Sequence, residues 1–185
     1  MIKKIYKNNW IFLKQAKKYI FASLIIFFAF ALIGFFFPVL FRQEILEMIH
    51  DLILKFEGKN LAEIIIFIFF NNLWTSFIAM ILGLLFGIIP LIIVLINGYI
   101  LGFASNMSVK EQGLASLWRL LPHGIFELPA VIISIGLGLR LGFLVIQNKP
   151  VKKEILKSLI FFLSIIAPLL IIAAIIEGIL IFSVS

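Results

Sequence analysis

The chain has 185 residues, of which 63% are hydrophobic and only 14% are charged. Soluble domains are about half apolar and about a quarter charged, so this composition excludes an ordinary water-soluble globule. The net charge of +7 does not indicate nucleic-acid binding, because the lysines flank apolar segments, where membrane topology explains them. With no cysteine and two histidines, the chain cannot form a disulfide, a thiolate metal site or a three-histidine zinc site, and we expect no cofactor.

Long unbroken apolar runs predict membrane-spanning α-helices rather than the short alternating strands of a membrane β-barrel. We therefore predict an all-α, polytopic membrane protein with a single membrane domain. The first predicted elements are a basic juxtamembrane helix at 1–18 and an external amphipathic helix at 42–60. The five predicted spans lie at about 19–41, 62–82, 88–106, 122–145 and 155–183.

Two stretches of the sequence predict features other than regular membrane-spanning helices. The apolar run 61–106 is too long for one span, and the segment Gly83–Pro90 supplies the break. Residues 114–121 predict a short helix that is either interfacial or re-entrant. The following span is predicted to open at Pro122 and to be kinked at Pro129.

The distribution of lysine and arginine predicts the topology. Eleven of the sixteen basic residues lie in the segments 1–18 and 140–157, which five spans place on the same side of the membrane. Positive residues concentrate on the cytoplasmic side. We therefore predict a protein of the cell membrane with its N-terminus in the cytoplasm and its C-terminus outside.

Several polar residues fall within the predicted spans, where each needs a partner. A carboxyl group at this depth needs a cation, a donor or a proton, and His123, one helical turn from Glu127, is the nearest candidate donor. Because consecutive spans are often neighbours, we expect one polar cluster between spans 2, 3 and 4. Glu177 is predicted to lie near the outer interface and to matter less than Glu127. The expected members of the cluster are Asn71, Asn72, Asn97, His123 and Glu127.

Glycines four residues apart predict close helix packing, either within this chain or with another. The three pairs are Gly83 with Gly87, Gly98 with Gly102, and Gly138 with Gly142.

The densest local pattern is Pro122-His123-Gly124-x-x-Glu127-Leu-Pro129-Ala130. This string resembles the signature of the stage II sporulation protein M family of integral membrane proteins. The resemblance extends over about residues 15–180, and it implies about five spans. The namesake of that family acts in engulfment of the forespore as a membrane scaffold for two peptidoglycan-remodelling enzymes. The resemblance therefore implies a scaffold whose partners are other membrane or envelope proteins.

Three functions are compatible with the sequence. The first is a non-enzymatic scaffold or assembly protein, which needs no catalytic residue. The second is a small transporter or channel, which the buried acids and the interrupted helix at Pro122 favour. The third is an intramembrane enzyme, for which Ser134 is a candidate nucleophile. The expected partners are the lipid bilayer, other membrane proteins and a second copy of the chain, with no nucleic acid.

Overall fold

The computed structural model describes the backbone of residues 2–184 and the side chains of residues 7–117 and 124–183. Every regular element in this part of the chain is helical. Five helical stretches are long and apolar enough to cross a membrane, which confirms the predicted fold class and number of spans. They are Lys7–Phe36, Leu61–Leu84, Ile88–Gln112, Gly124–Ile146 and Lys152–Ser183.

The described residues form seven α-helices. Short 3₁₀ segments precede α4 and α5, at Leu82–Leu84 and Leu114–Leu120, and a π-helical segment, Phe162–Ile166, joins α6 to α7. The α-helices are α1 (Ile2–Phe36), α2 (Arg42–Phe56), α3 (Leu61–Ile81), α4 (Ile88–Gln112), α5 (Leu121–Ile146), α6 (Lys152–Phe161) and α7 (Ala167–Val184).

The first helix, α1, runs without a break, which corrects the prediction of a separate helix at 1–18 followed by a span at 19–41. No glycine or proline occurs before Gly34, so nothing in the sequence interrupts the helical hydrogen bonds. The helix stops two residues before Pro38, because a proline disfavours helical geometry in the residue that precedes it. Phe12 is buried in the bundle, so the first half of α1 packs against protein.

The second helix, α2, is amphipathic, and Ile45 is its one buried residue. It ends at Phe56, and Gly58 follows with a φ of 72°, a left-handed conformation that glycine adopts without strain. Asn60 caps the start of α3, and its side chain accepts a hydrogen bond from the N–H of Glu63. These two end signals separate the amphipathic helix from the second span.

The turn between α3 and α4 lies within the segment that predicted a break. Gly87 has a φ of 77°, and its N–H donates to the carbonyl oxygen of Gly83 at 2.7 Å. Pro90 lies in the first turn of α4, where a missing N–H leaves no helical hydrogen bond unmade. A long apolar run is thus folded into two helices with only a few residues between them.

The last span contains a widened turn. At the π segment, the N–H of Ala167 donates to the carbonyl of Phe162, five residues earlier. Pro168 follows directly, and its ring would crowd the preceding turn of a regular α-helix. The wider turn therefore accommodates the proline without ending the span.

The helix α5 lies at the centre of the bundle and contacts α1, α3, α4 and α7. In its most apolar stretch 50% of the residues are buried, against 33% or fewer in each other span. α1 packs mainly on α4, and α3 packs mainly on α7 and α5. The consecutive helices α3 and α4 make few contacts with each other, so spans 2 and 3 adjoin less closely than we expect from their order in the chain.

Candidate functional site

Glycines bring the backbone of α5 against α3 and the turn that follows it. A methyl group built on Gly138 would overlap the carbonyl oxygen of Ala79, and one built on Gly142 would overlap the amide nitrogen of Gly87. Gly83 meets the backbone of Gly138 in the same way. These two glycine pairs therefore face each other within the chain, and no larger residue fits between the backbones.

The third glycine pair, Gly98 and Gly102, packs α4 on carbonyl oxygens of α1. Beside it, the hydroxyl of Tyr99 accepts a hydrogen bond from the N–H of Leu40 and donates one to the carbonyl oxygen of Phe37, both at 3.0 Å. These bonds satisfy backbone groups that the end of α1 leaves without helical partners. α4 therefore fixes both the body and the end of α1.

The asparagines predicted to form one polar cluster make their hydrogen bonds within their own helices. The amide nitrogen of Asn71 donates to Oδ1 of Asn72 at 3.3 Å, and Asn71 faces outward from the bundle. The amide nitrogen of Asn97 donates to the carbonyl oxygen of Ile93 on its own helix at 2.8 Å. Among the described side chains, no hydrogen bond joins the α3 asparagines to Asn97 or to Glu127.

The signature string at the start of α5 is described in part. The side chains of Pro122 and His123 lie outside the described residues, and so does the expected contact of His123 with Glu127. Gly124 is open, since a methyl group there would come no closer than 3.5 Å to the side chain of Leu128. Pro129 lies inside α5, where it removes one backbone N–H from the helical ladder.

The side chain of Glu127 hydrogen-bonds the side chain of Glu177 across the contact of α5 with α7. An ionised carboxylate can only accept hydrogen bonds, so this bond requires at least one proton between the two groups. Two ionised carboxylates this close in apolar surroundings would repel each other strongly. The structure therefore places the two acids together, and we call this pair the carboxyl dyad.

The dyad corrects the expectation that Glu127 and Glu177 lie at different depths. Glu127 is six residues after the first residue of α5, and Glu177 is seven before the last residue of α7. At 1.5 Å per residue, each carboxyl-bearing residue is about 10 Å from the same end of the bundle. Spans 4 and 5 are antiparallel, so the start of span 4 and the end of span 5 lie at the same end of the bundle. The number of residues between each acid and that end is a signal in the sequence that could have shown the pair.

A second polar cluster links α1, α5 and α6 at the opposite end of α5, and sequence reasoning missed it. Arg140 forms an ion pair with Glu154 at 2.5 Å, and their side chains are only 12% and 16% exposed. Lys157 pairs with the other oxygen of the same carboxylate at 2.6 Å. Arg140 also donates to Gln15 at 3.4 Å and lies 4.8 Å from the ring centroid of Phe12.

The buried Asn9 ties the start of α1 to the π segment. Its amide nitrogen donates to Oγ of Ser164 at 2.8 Å, and this hydroxyl donates to the carbonyl oxygen of Ile160 at 2.6 Å. Close by, the rings of Phe12 and Phe161 pack with centroids 5.9 Å apart. Asn9, Phe12 and Ala16 recur at spacings of three and four among the lysines, and that pattern is the signal that could have shown a buried face.

Four cavities between or beside the helices are lined by described residues, and the dyad carboxyls line none of them. One of about 390 Å³ lies beside the Arg140 cluster and is lined partly by Asn8, Gln15 and Lys157. A groove of about 530 Å³ runs between α1 and α5, and a third of about 360 Å³ lies beside α2. The fourth, of about 650 Å³, follows the outer side of α3.

The fold and these contacts define a helical, polytopic membrane protein whose central helix carries the signature string. The family described as stage II sporulation protein M matches residues 23–180, most of the chain. The chain therefore belongs to the stage II sporulation protein M family. This confirms the resemblance on which the sequence-based expectations rested.

Two similar proteins come from the archaeon Methanocaldococcus jannaschii. The uncharacterized protein MJ0706 is 32% identical over 153 residues, which is 77% of this chain and 67% of that protein. The uncharacterized protein MJ0793 is 31% identical over 115 residues, which is 58% of this chain and 65% of that protein. No solved structure matches the chain significantly.

Proposed function

We propose that the protein is a non-enzymatic membrane scaffold, which holds partner membrane or envelope proteins and moves no solute. The supporting observation is that the acids most suited to ion transport are turned toward each other. The side chain of Glu127 is hydrogen-bonded to that of Glu177, and neither side chain lines any of the four cavities given above. A transport site would instead present such groups to a water-filled path.

The surroundings of Ser134 support a non-enzymatic role. This serine, the candidate nucleophile, is fully buried in α5, and its Oγ has no hydrogen-bond partner among the described side chains. A serine nucleophile needs a base within hydrogen-bond reach and access for its substrate. The hydroxyl therefore fits a packing position better than a catalytic one.

The second candidate function is a small proton-coupled transporter. Its support is the dyad itself, because two carboxyls that share a proton can release and rebind it when the helices move. The π segment and Pro168 lie in the same span as Glu177, and such irregular turns often occur at functional sites. Transport would require a conformation that opens the contact of α5 with α7 to water.

We also propose that the N-terminus lies in the cytoplasm and the C-terminus outside. The support is that the segments 1–18 and 140–157 hold eleven of the sixteen basic residues. The Arg140 cluster then lies toward the cytoplasm and the carboxyl dyad toward the outside. Partner proteins of the envelope would meet the end of the bundle that holds the dyad, α2 and the C-terminus.

Flux measurements on purified protein in liposomes separate the two functions. The liposomes enclose a pH-sensitive dye, and a gradient of protons, sodium or potassium is imposed across their membrane. If the protein is a scaffold, the rate of dye response should equal that of protein-free liposomes. The variant Glu127→Gln serves as the matched control and should leak equally. A flux that the native protein supports and Glu127→Gln abolishes would overturn the scaffold proposal in favour of transport.

A further inference from the structure

The outward side of α3 carries a polar side chain that lipid cannot satisfy. Asn71 is exposed, and it lies ten residues after Leu61 and thirteen before Leu84 in the second span. At 1.5 Å per residue this places it about 15 Å into a hydrocarbon layer about 30 Å thick. An amide in such a position is stabilised only by another hydrogen-bonding group.

The contacts of Asn71 within the chain leave most of its side-chain hydrogen bonding unused. A primary amide can donate two hydrogen bonds and accept two. The amide nitrogen makes one long bond, 3.3 Å, to the neighbouring Asn72. Thr75 bonds only the backbone carbonyl of Asn71, at 2.9 Å. The amide is therefore available to a group outside the bundle.

The residues around Asn71 form a continuous surface with a groove of about 650 Å³. Three large apolar side chains on it are exposed: Ile66 by 55%, Phe70 by 60% and Trp74 by 63%. We call this surface the α3 outer face, and it consists of Lys59, Glu63, Ile66, Phe67, Phe70, Asn71 and Trp74. The members within α3 recur at spacings of three and four residues, which puts them on one side of the helix.

We propose that the α3 outer face is a dimer interface that binds the same face of a second copy of this chain. Around a two-fold axis normal to the membrane, the two α3 helices run parallel, and a residue near the axis meets its own copy. Asn71 suits that position, because an amide is both donor and acceptor and so pairs with an identical amide. The pair would give each amide the partner that lipid lacks.

Charge at the end of the same face also fits a second copy. Lys59 lies just before the start of α3 and Glu63 lies in its first turn, and both are exposed. One oxygen of the Glu63 carboxylate accepts a hydrogen bond from the N–H of Asn60 at 2.9 Å, which leaves the other oxygen for a further partner. In a parallel two-fold pair, Lys59 of one copy can approach Glu63 of the other, and the reverse contact follows by symmetry. The face is thus self-complementary in charge as well as in hydrogen bonding.

The glycine motifs do not offer a competing interface. Gly83, Gly87, Gly138 and Gly142 are in contact with one another inside the bundle, and Gly98 and Gly102 are covered by α1. The close-packing surfaces that commonly join membrane helices are therefore already occupied within one chain. This inference does not depend on the proposed scaffold function, since a transporter could be a dimer as well.

Cysteine crosslinking tests the interface directly, because the native chain has no cysteine. The variant Trp74→Cys, reconstituted in liposomes at high lipid-to-protein ratio and oxidised, should form a disulfide-linked dimer. Ile171→Cys, at a 46% exposed position on the outer side of α7, is the matched control and should stay monomeric. Equal crosslinking of the two variants, or none of Trp74→Cys, would overturn the proposal.

Replacement of Asn71 tests the amide pair. Asn71→Leu should raise the dimer dissociation constant in liposomes about tenfold, as expected for loss of a hydrogen bond worth about 1.4 kcal/mol in a membrane. Asn71→Gln keeps the amide and should restore most of the affinity. Because Asn71 is exposed, both variants should melt like the native monomer in detergent. An unchanged dissociation constant in Asn71→Leu, or crosslinking of Trp74→Cys only to a different protein in native membranes, would contradict a homodimer.

Discussion

Glu127 on α5 and Glu177 on α7 hydrogen-bond each other inside the bundle, although fifty residues separate them in the sequence. The two helices are antiparallel, so acids at similar distances from their opposite ends meet at one level. Their hydrogen bond joins the central helix to the last span. The contribution of each acid to stability therefore depends on the presence of the other.

Removal of either dyad carboxyl should destabilise the protein by a similar amount. Glu127→Ala and Glu177→Ala each leave a buried carboxyl without its partner, at a cost of about 1–3 kcal/mol. Glu127→Gln should cost less, because the amide can still donate to the carboxylate of Glu177. The measurement is thermal unfolding in detergent of the three variants and the double alanine variant. Strict additivity of the two alanine effects would contradict a direct pair.

The ion pair of Arg140 with Glu154 should contribute more to stability than that of Lys157. Arg140→Leu leaves the largely buried carboxylate of Glu154 without its inner partner and should cost about 2 kcal/mol or more. The side chain of Lys157 is 49% exposed, so Lys157→Leu should cost less than about 1 kcal/mol. Chemical unfolding in detergent compares the two variants. Equal losses would contradict the ion pair of Arg140 with Glu154.

The number of helices follows from the sequence, because hydropathy and helix breaks are local properties. The Gly83–Pro90 break is an example, since the glycines and the proline act on their own backbone. The carboxyl dyad and the Arg140 cluster depend instead on which spans adjoin. α3 packs on α7, far along the chain, and makes few contacts with the consecutive α4. A polar cluster inferred from sequence order therefore grouped Asn97 with asparagines to which it makes no hydrogen bond among the described side chains.

The glycine contact between α3 and α5 should tolerate no side chain. Gly138→Ala would push a methyl group into the carbonyl oxygen of Ala79, and we expect a loss of about 1–3 kcal/mol. Gly124→Ala, on the same helix, meets only the side chain of Leu128 at 3.5 Å and is the matched control. Its unfolding temperature in detergent should be at or above that of the native protein, because alanine favours helix. A Gly138→Ala protein as stable as Gly124→Ala would contradict the close backbone approach.

The proposed topology can be tested with single cysteines on each side of the bundle. Lys55→Cys on α2 should react in intact cells with a maleimide that does not cross membranes, and Lys152→Cys at the start of α6 should react only after the cells are permeabilised. Both positions are exposed, so accessibility depends on the side of the membrane alone. The opposite pattern would reverse the orientation inferred from the basic residues.

The most direct test of the account is the protonation and hydration of the carboxyl dyad. Infrared spectra of the protein in lipid should contain a protonated-carboxyl band at neutral pH that each of Glu127→Gln and Glu177→Gln shifts or removes, since the two groups are hydrogen-bonded to each other. In D₂O this band should shift slowly, because neither acid of the dyad lines any of the four cavities, through which water could exchange its proton. A missing band, or one that shifts at once in D₂O, would contradict an enclosed structural pair and point to a hydrated site suited to transport.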